Sequence, residues 1–176
     1  TRKESSAASD VYKRQGGNGT RLSPITETIN KHLLPVYDKP LIYYPLSNLL
    51  LTGCDEILVI SSKESLILLE EQLGNGEKFG VSISYQAQES PDGIPSAIYL
   101  AKSFADGEDI WVSLGDNFIF GSRIKELYEK VNNSNKATIF IKHVGNIYGF
   151  GSAEISDGKI KNLEEKPKSN KSGWAV

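Results

Sequence analysis

The 176-residue chain is long enough for one sizeable core, and its 20 Lys plus Arg against 22 Asp plus Glu exclude the basic surface on which nucleic-acid binding rests. One cysteine, Cys54, and two histidines, His32 and His143, leave no intramolecular disulfide and no Cys/His zinc constellation, and they fit a reducing, cytoplasmic setting. No apolar run approaches the roughly 20 residues of a membrane helix, so a soluble protein without a membrane partner is expected.

Residues 1–15, TRKESSAASDVYKRQ, are small, polar and charged, with no apolar h-region of a secretory signal. They are expected to be a non-native or disordered segment, such as a cloning or assembly scar. Val11 and Tyr12 alone cannot supply the continuous apolar run that a central parallel strand needs.

The next stretch carries the first chemistry. Gly16, Gly17 and Gly19 fall within four positions ahead of Thr20 and Arg21, so backbone N–H groups can turn toward phosphate oxygens and a guanidinium can clamp them. Lys31 follows between Asn30 and His32, completing what reads as a loop around a polyphosphate. An ordinary glycine-rich turn with a solvated Arg and Lys is the plainer alternative. A dinucleotide fingerprint fails because Leu22 stands where its third glycine belongs, and a P-loop fails because Gly19 is followed by Thr20-Arg21.

Further on, Pro40 opens a helix over Leu41–Leu51, with Pro45 in its first turn or kinking it and Gly53 as its C-terminal cap. Glu56–Ser61 reads as a buried parallel strand, and Lys63–Leu73 as an amphipathic helix closed by Gly74. Val81–Ala87 alternates as a strand, Pro95–Phe104 is helical and Ile110–Leu114 is a second buried strand. A helix over Arg123–Asn132 capped by Ser122 and a strand over Ala137–His143 continue the alternation. Asp157-Gly158 then marks a hairpin at the sheet edge, between Ser152–Ile155 and Lys159–Leu163. This order predicts an α/β fold, a Rossmann-like doubly wound, mostly parallel sheet with helices on both faces. The expected domain runs over residues 16–176.

In such a sheet, ligands bind outside the carboxyl ends of the strands. Asp116, between Gly115 and Asn117 after an apolar strand, suits a magnesium ligand reaching a nucleotide phosphate, or else an Asp capping a turn. Glu165 and Lys166, adjacent at the end of the hairpin strand, point to opposite faces if the backbone there is extended, so that one of them faces a given ligand atom; a solvated surface pair is the plainer alternative.

GGNGTRLSP from Gly16 and NKHLLPVYDKPLIYYPL from Asn30 resemble the signature of the sugar-1-phosphate nucleotidylyltransferases, most closely their bacterial glucose-1-phosphate thymidylyltransferase branch. SPDG at Ser90–Gly93, LGDN at Leu114–Asn117, YG at Tyr148-Gly149 and EEKP at Glu164–Pro167 follow in the same order as in that family. Pro95 and Ser96 depart from the usual Ala-Gln pair of the thymidylyl type. The resemblance implies the nucleotide-diphospho-sugar transferase type of fold and transfer of a nucleotidyl group from dTTP to glucose 1-phosphate, giving dTDP-glucose and pyrophosphate. It further implies that Arg21, Lys31 and Lys166 are catalytic, and that Gly16, Gly17, Gly19, Thr20, Arg21, Gln88, Gly93 and Asp116 hold the nucleotide. Asn117, Tyr148, Gly149, Glu165, Lys166 and Val176 would surround the sugar, and Asp116 would take Mg²⁺. By the same resemblance the family continues for roughly another hundred residues, within an ordinary domain size. That continuation holds a second metal aspartate, so a C-terminally partial domain is expected, with a homo-oligomer at full length. A UTP-using uridylyltransferase or a non-catalytic sugar-nucleotide-binding domain on the same fold are the alternatives.

Overall fold

A computed structural model describes residues 5–9, 22–27, 29–90, 93–134, 136–167 and 173–176. It divides into two compact units, residues 1–132 and 133–176.

The larger unit is built on β4, Glu56–Ser61. Its β-branched and leucine side chains alternate between faces, and both faces are buried: Ile57 and Val59 join one core cluster, Leu58 and Ile60 another. Three parallel neighbours complete the sheet, in the order β5 (Ser82–Ala87), β4, β1 (Ser5–Ser9), β6 (Ile110–Leu114). Between β1 and β4 in the chain, β2 (Pro35–Val36) and β3 (Lys39–Pro40) form a separate antiparallel pair, so Pro40 ends a short strand and does not open the helix that follows. The first cluster is closed by α1 (Tyr43–Thr52) and α2 (Lys63–Leu73), through Leu46, Leu49, Leu66, Leu69 and Leu73. The second is closed by α3 (Ile94–Leu100) and α4 (Lys102–Ala105), where the small Ala97 and Ala101 let the helices approach Leu58 and Ile60. Helices thus cover both faces, as the alternation of elements predicts.

Local signals account for the helix ends. Gly53 caps α1 at φ 90, Ser62 Oγ accepts from Ser65 N at 3.3 Å to start α2, and Gly74 at φ 64 ends it. The helix expected over Pro95–Phe104 is two helices that turn at Ala101, where ψ is −2. Helix α5 spans Ile124–Asn132, and Asn132 ties it to the sheet and to α1, accepting from Trp111 Nε1 at 2.9 Å and donating to the Thr52 carbonyl at 2.9 Å.

Strand β1 departs from expectation. Ser5–Ser9, expected to be disordered or non-native, lie between β4 and β6 with parallel register to both. Parallel ladder bonds are made by the backbone, so a Ser/Ala segment can occupy a central position that composition alone argues against. Residues 10–15 lie outside the described residues.

The smaller unit is a four-stranded sheet in the order β7 (Lys142–His143), β10 (Trp174–Ala175), β8 (Gly151–Ser156), β9 (Lys159–Glu165). Asp157 at φ 52 and Gly158 at φ 69 make the tight turn of the β8–β9 hairpin, as the Asp-Gly pair predicts. This hairpin belongs to a sheet of its own and not to the edge of the parallel sheet. The strand expected over Ala137–His143 shortens to Lys142–His143, because β10 offers only two residues to pair with it.

Leu69 is wholly buried between α2 and the sheet, whereas Ile67 on the same helix is 61% exposed. Leu69→Ala is expected to lower unfolding stability by about 2–5 kcal/mol and Ile67→Ala by no more than about 0.5 kcal/mol. Urea unfolding followed by far-UV circular dichroism checks this, and equal losses would contradict the assigned packing of α2.

Candidate functional site

Register brings the carboxyl ends of the parallel strands level, with Ser9 beside both Ile60 and Leu114, and Ser61 beside Ala87. Loops leaving β5 and β6 therefore emerge along one edge, which is where an open α/β sheet binds ligands. The glycine loop, Gly16, Gly17, Gly19, Thr20 and Arg21, lies outside the described residues.

Lys31 opens a three-residue 3-10 turn, Lys31–Leu33. Asp116 leaves the end of β6 after Gly115, and the turn there is closed by Asn117 N donating to the Leu114 carbonyl at 3.1 Å. Far apart in sequence, the two side chains meet with Nζ 2.9 Å from Oδ2. Lys31 is largely covered and Asp116 about half exposed. Partial burial works to raise the Asp116 carboxyl, but the Lys31 hydrogen bond and charge, with smaller help from His32 and a backbone hydrogen bond, outweigh it and hold the carboxyl below its ordinary 3.8. Asp116 is thus an anion at neutral pH with positive charge already favoured beside it.

Around this pair sits a polar cluster that sequence reasoning missed. Asn30 Oδ1 accepts from His32 N at 2.9 Å and lies 2.8 Å from His32 Nδ1, while Asn30 Nδ2 donates to Ser65 Oγ at 2.9 Å. The His32 ring is buried against Gly115, where an added Cβ would lie 2.9 Å from Cδ2. The only sequence signal was the placement of Asn30 and His32 on either side of Lys31.

Gln88 and Gly93 also come together. Gln88 N donates to the Ser61 carbonyl at 2.9 Å, fixing the start of the loop after β5, and its side-chain Nε2 reaches the Gly93 carbonyl at 3.4 Å. Gly93 holds φ 93, a conformation that favours glycine, and caps α3. Residues 91–92 between them lie outside the described residues.

In the smaller unit, Glu165, Lys166 and Val176 gather around Gly151. Glu165 pairs with Gly151 across the hairpin, Val176 N donates to the Gly151 carbonyl at 2.9 Å, and Lys166 N donates to the Phe150 carbonyl at 3.1 Å. Glu165 and Lys166 would face opposite ways only in extended backbone; Lys166 instead leaves the strand at φ 47, and its Nζ comes 3.5 Å from Glu165 Oε1. Tyr148 and Gly149, the latter at φ 88, lie in the turn that leads into β8. Tyr148 and Val176 are exposed.

A family model described as nucleotidyl transferase matches residues 15–176. The chain belongs to the nucleotidyl transferase family. Among curated members, a glucose-1-phosphate thymidylyltransferase from Neisseria meningitidis serogroup A is 44% identical over 163 residues, covering 92% of this chain and 57% of its own length. The chain therefore spans little more than half the length of the curated relatives it matches. A crystal structure from Bacillus anthracis, described as a candidate glucose-1-phosphate thymidylyltransferase in complex with a sucrose, superposes with a TM-score of 0.85 at 36% identity, covering 97% of this chain and 68% of that one. A UTP-bound UGPase from Acinetobacter baumannii shares the fold, with a TM-score of 0.72 at 24% identity over 98% of this chain and 72% of its own.

The donor set of the described residues bears on metal binding. No group of three or more His, Cys, Asp or Glu is placed to hold a metal among the described residues, so the chain offers no all-protein cage there. A single carboxylate beside which positive charge is favoured fits a hard divalent cation that draws its remaining ligands from water and a triphosphate. No helix among the described residues is long and apolar enough to cross a membrane.

A carboxyl held below its unfolded value adds stability that is fully present above the unfolded value and is lost as pH falls through the folded one. The melting temperature of the wild type should exceed that of Asp116→Asn by a steady margin near neutral pH, and the margin should shrink only as pH drops below the ordinary 3.8. Because Asp116 is half exposed, added salt should narrow the margin as well. Thermal melts across pH and salt provide the check, and a margin indifferent to both would remove the ion pair from the account.

Proposed function

We propose that this chain carries the substrate-binding part of a cytoplasmic glucose-1-phosphate thymidylyltransferase. The observation that carries the reading is the meeting of Lys31 and Asp116 at the carboxyl edge of the parallel sheet, 2.9 Å apart, in a chain whose curated relatives bear that name. A phosphate oxygen of glucose 1-phosphate attacks the α-phosphorus of dTTP, the bond from that phosphorus to the bridging oxygen of the β-phosphate breaks, and pyrophosphate leaves. No general base is required, since a phosphate monoester with a second pKa of about 6 is already largely dianionic. What the protein must do is bring two anions into line and neutralise charge on the leaving group.

Each residue has a part in that task. Lys31, with Arg21 and the N–H groups of Gly16, Gly17, Gly19 and Thr20, holds the triphosphate. Gln88 and the backbone of Gly93 read the pyrimidine edge, a pairing supported by their proximity at 3.4 Å. Lys166 grips the sugar phosphate, and Glu165 accepts from a sugar hydroxyl, with Tyr148, Gly149 and Val176 beside them in the smaller unit; Asn117, in the larger unit, is a further sugar-binding residue in this reading. Mg²⁺, when bound, supplies Lewis-acid neutralisation of the phosphate oxygens, and Asp116 is the side chain that would hold it.

The test is pyrophosphate release from dTTP, UTP and ATP with glucose 1-phosphate and Mg²⁺, measured on this chain and within a chain of its relatives' full length. A preference for dTTP is expected, with Lys31→Ala lowering kcat by about 10²–10³-fold, the usual cost of one electrostatic donor. A UTP preference would reassign the nucleotide. Folded protein that releases no pyrophosphate at either length, yet binds dTDP-glucose, would leave only a binding domain.

A further inference from the structure

Lys31 stands on very little regular structure. A single 3-10 turn of three residues holds it, and such turns have poor hydrogen-bond geometry and little stability of their own. Its orientation must come from its two neighbours. Asn30 caps the turn by accepting from His32 N at 2.9 Å, and its amide donates to Ser65 Oγ at 2.9 Å, on the first turn of α2. The His32 carbonyl accepts from Ile42 N at 2.9 Å, which fastens the other side of the turn to the start of α1.

The His32 ring does more than fill space. It is only 2% exposed, and Asn30 Oδ1 lies 2.8 Å from its Nδ1. A Cβ built on Gly115 would meet its Cδ2 at 2.9 Å and Nε2 at 3.3 Å, with Ile42 Cδ1 at 3.4 Å behind. One imidazole therefore follows Lys31 in the chain and abuts the residue that precedes Asp116. The two loops that carry the opposing charges are spaced by a single rigid ring, whose own position is fixed by Asn30.

We infer that Asn30 and His32 are positioning residues that set the separation of Lys31 from Asp116, and through it the alignment of the triphosphate. The kinetic half of this inference rests on the function proposed above; the geometric half does not. Neither residue touches substrate in this scheme. Both act through Lys31, and an error of about 1 Å in such a group can cost about 100-fold in rate.

The experiment reads geometry first. In isotope-labelled protein, the nuclear Overhauser contact between Lys31 Hε and Asp116 Hβ reports the pair directly. It should vanish in His32→Ala and in Asn30→Ala while the amide resonances of β4, β5 and β6 keep their native positions. It should return in His32→Gln and Asn30→Asp, which keep a hydrogen-bonding group of similar reach. In turnover with dTTP, the alanine variants should lose about 100-fold in kcat with a smaller change in KM, and the conservative variants should recover most of it. Should His32→Ala fail to fold, Asn30→Ala decides. Persistence of the contact in a folded alanine variant, or equal loss in the conservative ones, would overturn the inference. Wild-type protein without dTTP turnover but with a contact that depends on Asn30 and His32 would count against the transfer reaction alone and leave the positioning role standing.

Discussion

A strand that cannot touch water on either side constrains everything in the larger unit. With Ile57 and Val59 facing one cluster and Leu58 and Ile60 the other, β4 requires an apolar layer above and below, and α1 with α2 and α3 with α4 supply them. Parallel strands with helical crossovers then follow, because helices on both faces demand that the chain return to the same edge before each new strand. Loops consequently collect at the carboxyl ends, and residues as distant in sequence as Lys31 and Asp116 become neighbours.

The electrostatics at that edge have a simple sense. In the reaction proposed above, a triphosphate and a sugar phosphate repel each other, which calls for positive charge fixed in advance together with an anion able to hold a metal. In the roles proposed for them, Lys31 and Asp116 would answer both needs as a pair. The smaller unit repeats the pattern with Lys166 and Glu165, whose head groups lie 3.5 Å apart.

Much of this was legible in the chain because its cause is local. The β-branched run Glu56–Ser61, the glycines that end α1 and α2, and the Asp157-Gly158 turn each state their conformation within a few residues. Asp116 and Lys31 could be singled out by residue type and neighbours, and their meeting accords with the carboxyl-end rule. What was not legible depends on partners remote in sequence. Ser5–Ser9 look like a tail because they bring little apolar surface, yet a ladder between two strands needs only backbone. The strand expected over Ala137–His143 was limited by the length of β10, which no pattern in that segment reveals. The turn of Lys166 out of its strand at φ 47 overrode the period-2 rule. Asn30 and His32 escaped notice because their significance lies in Ser65 and Gly115, contacts that only the tertiary arrangement creates.

The half-exposure of Asp116 has a consequence for the role proposed for this pair. An ion pair open to solvent contributes only about 0–1 kcal/mol, whereas removing one partner of a buried pair costs about 3–5 kcal/mol. With Lys31 largely covered and Asp116 about half in water, the pair lies between these limits: it aims two charges at the carboxyl edge without binding them so tightly that an incoming anion or cation would have to overcome a buried ion pair.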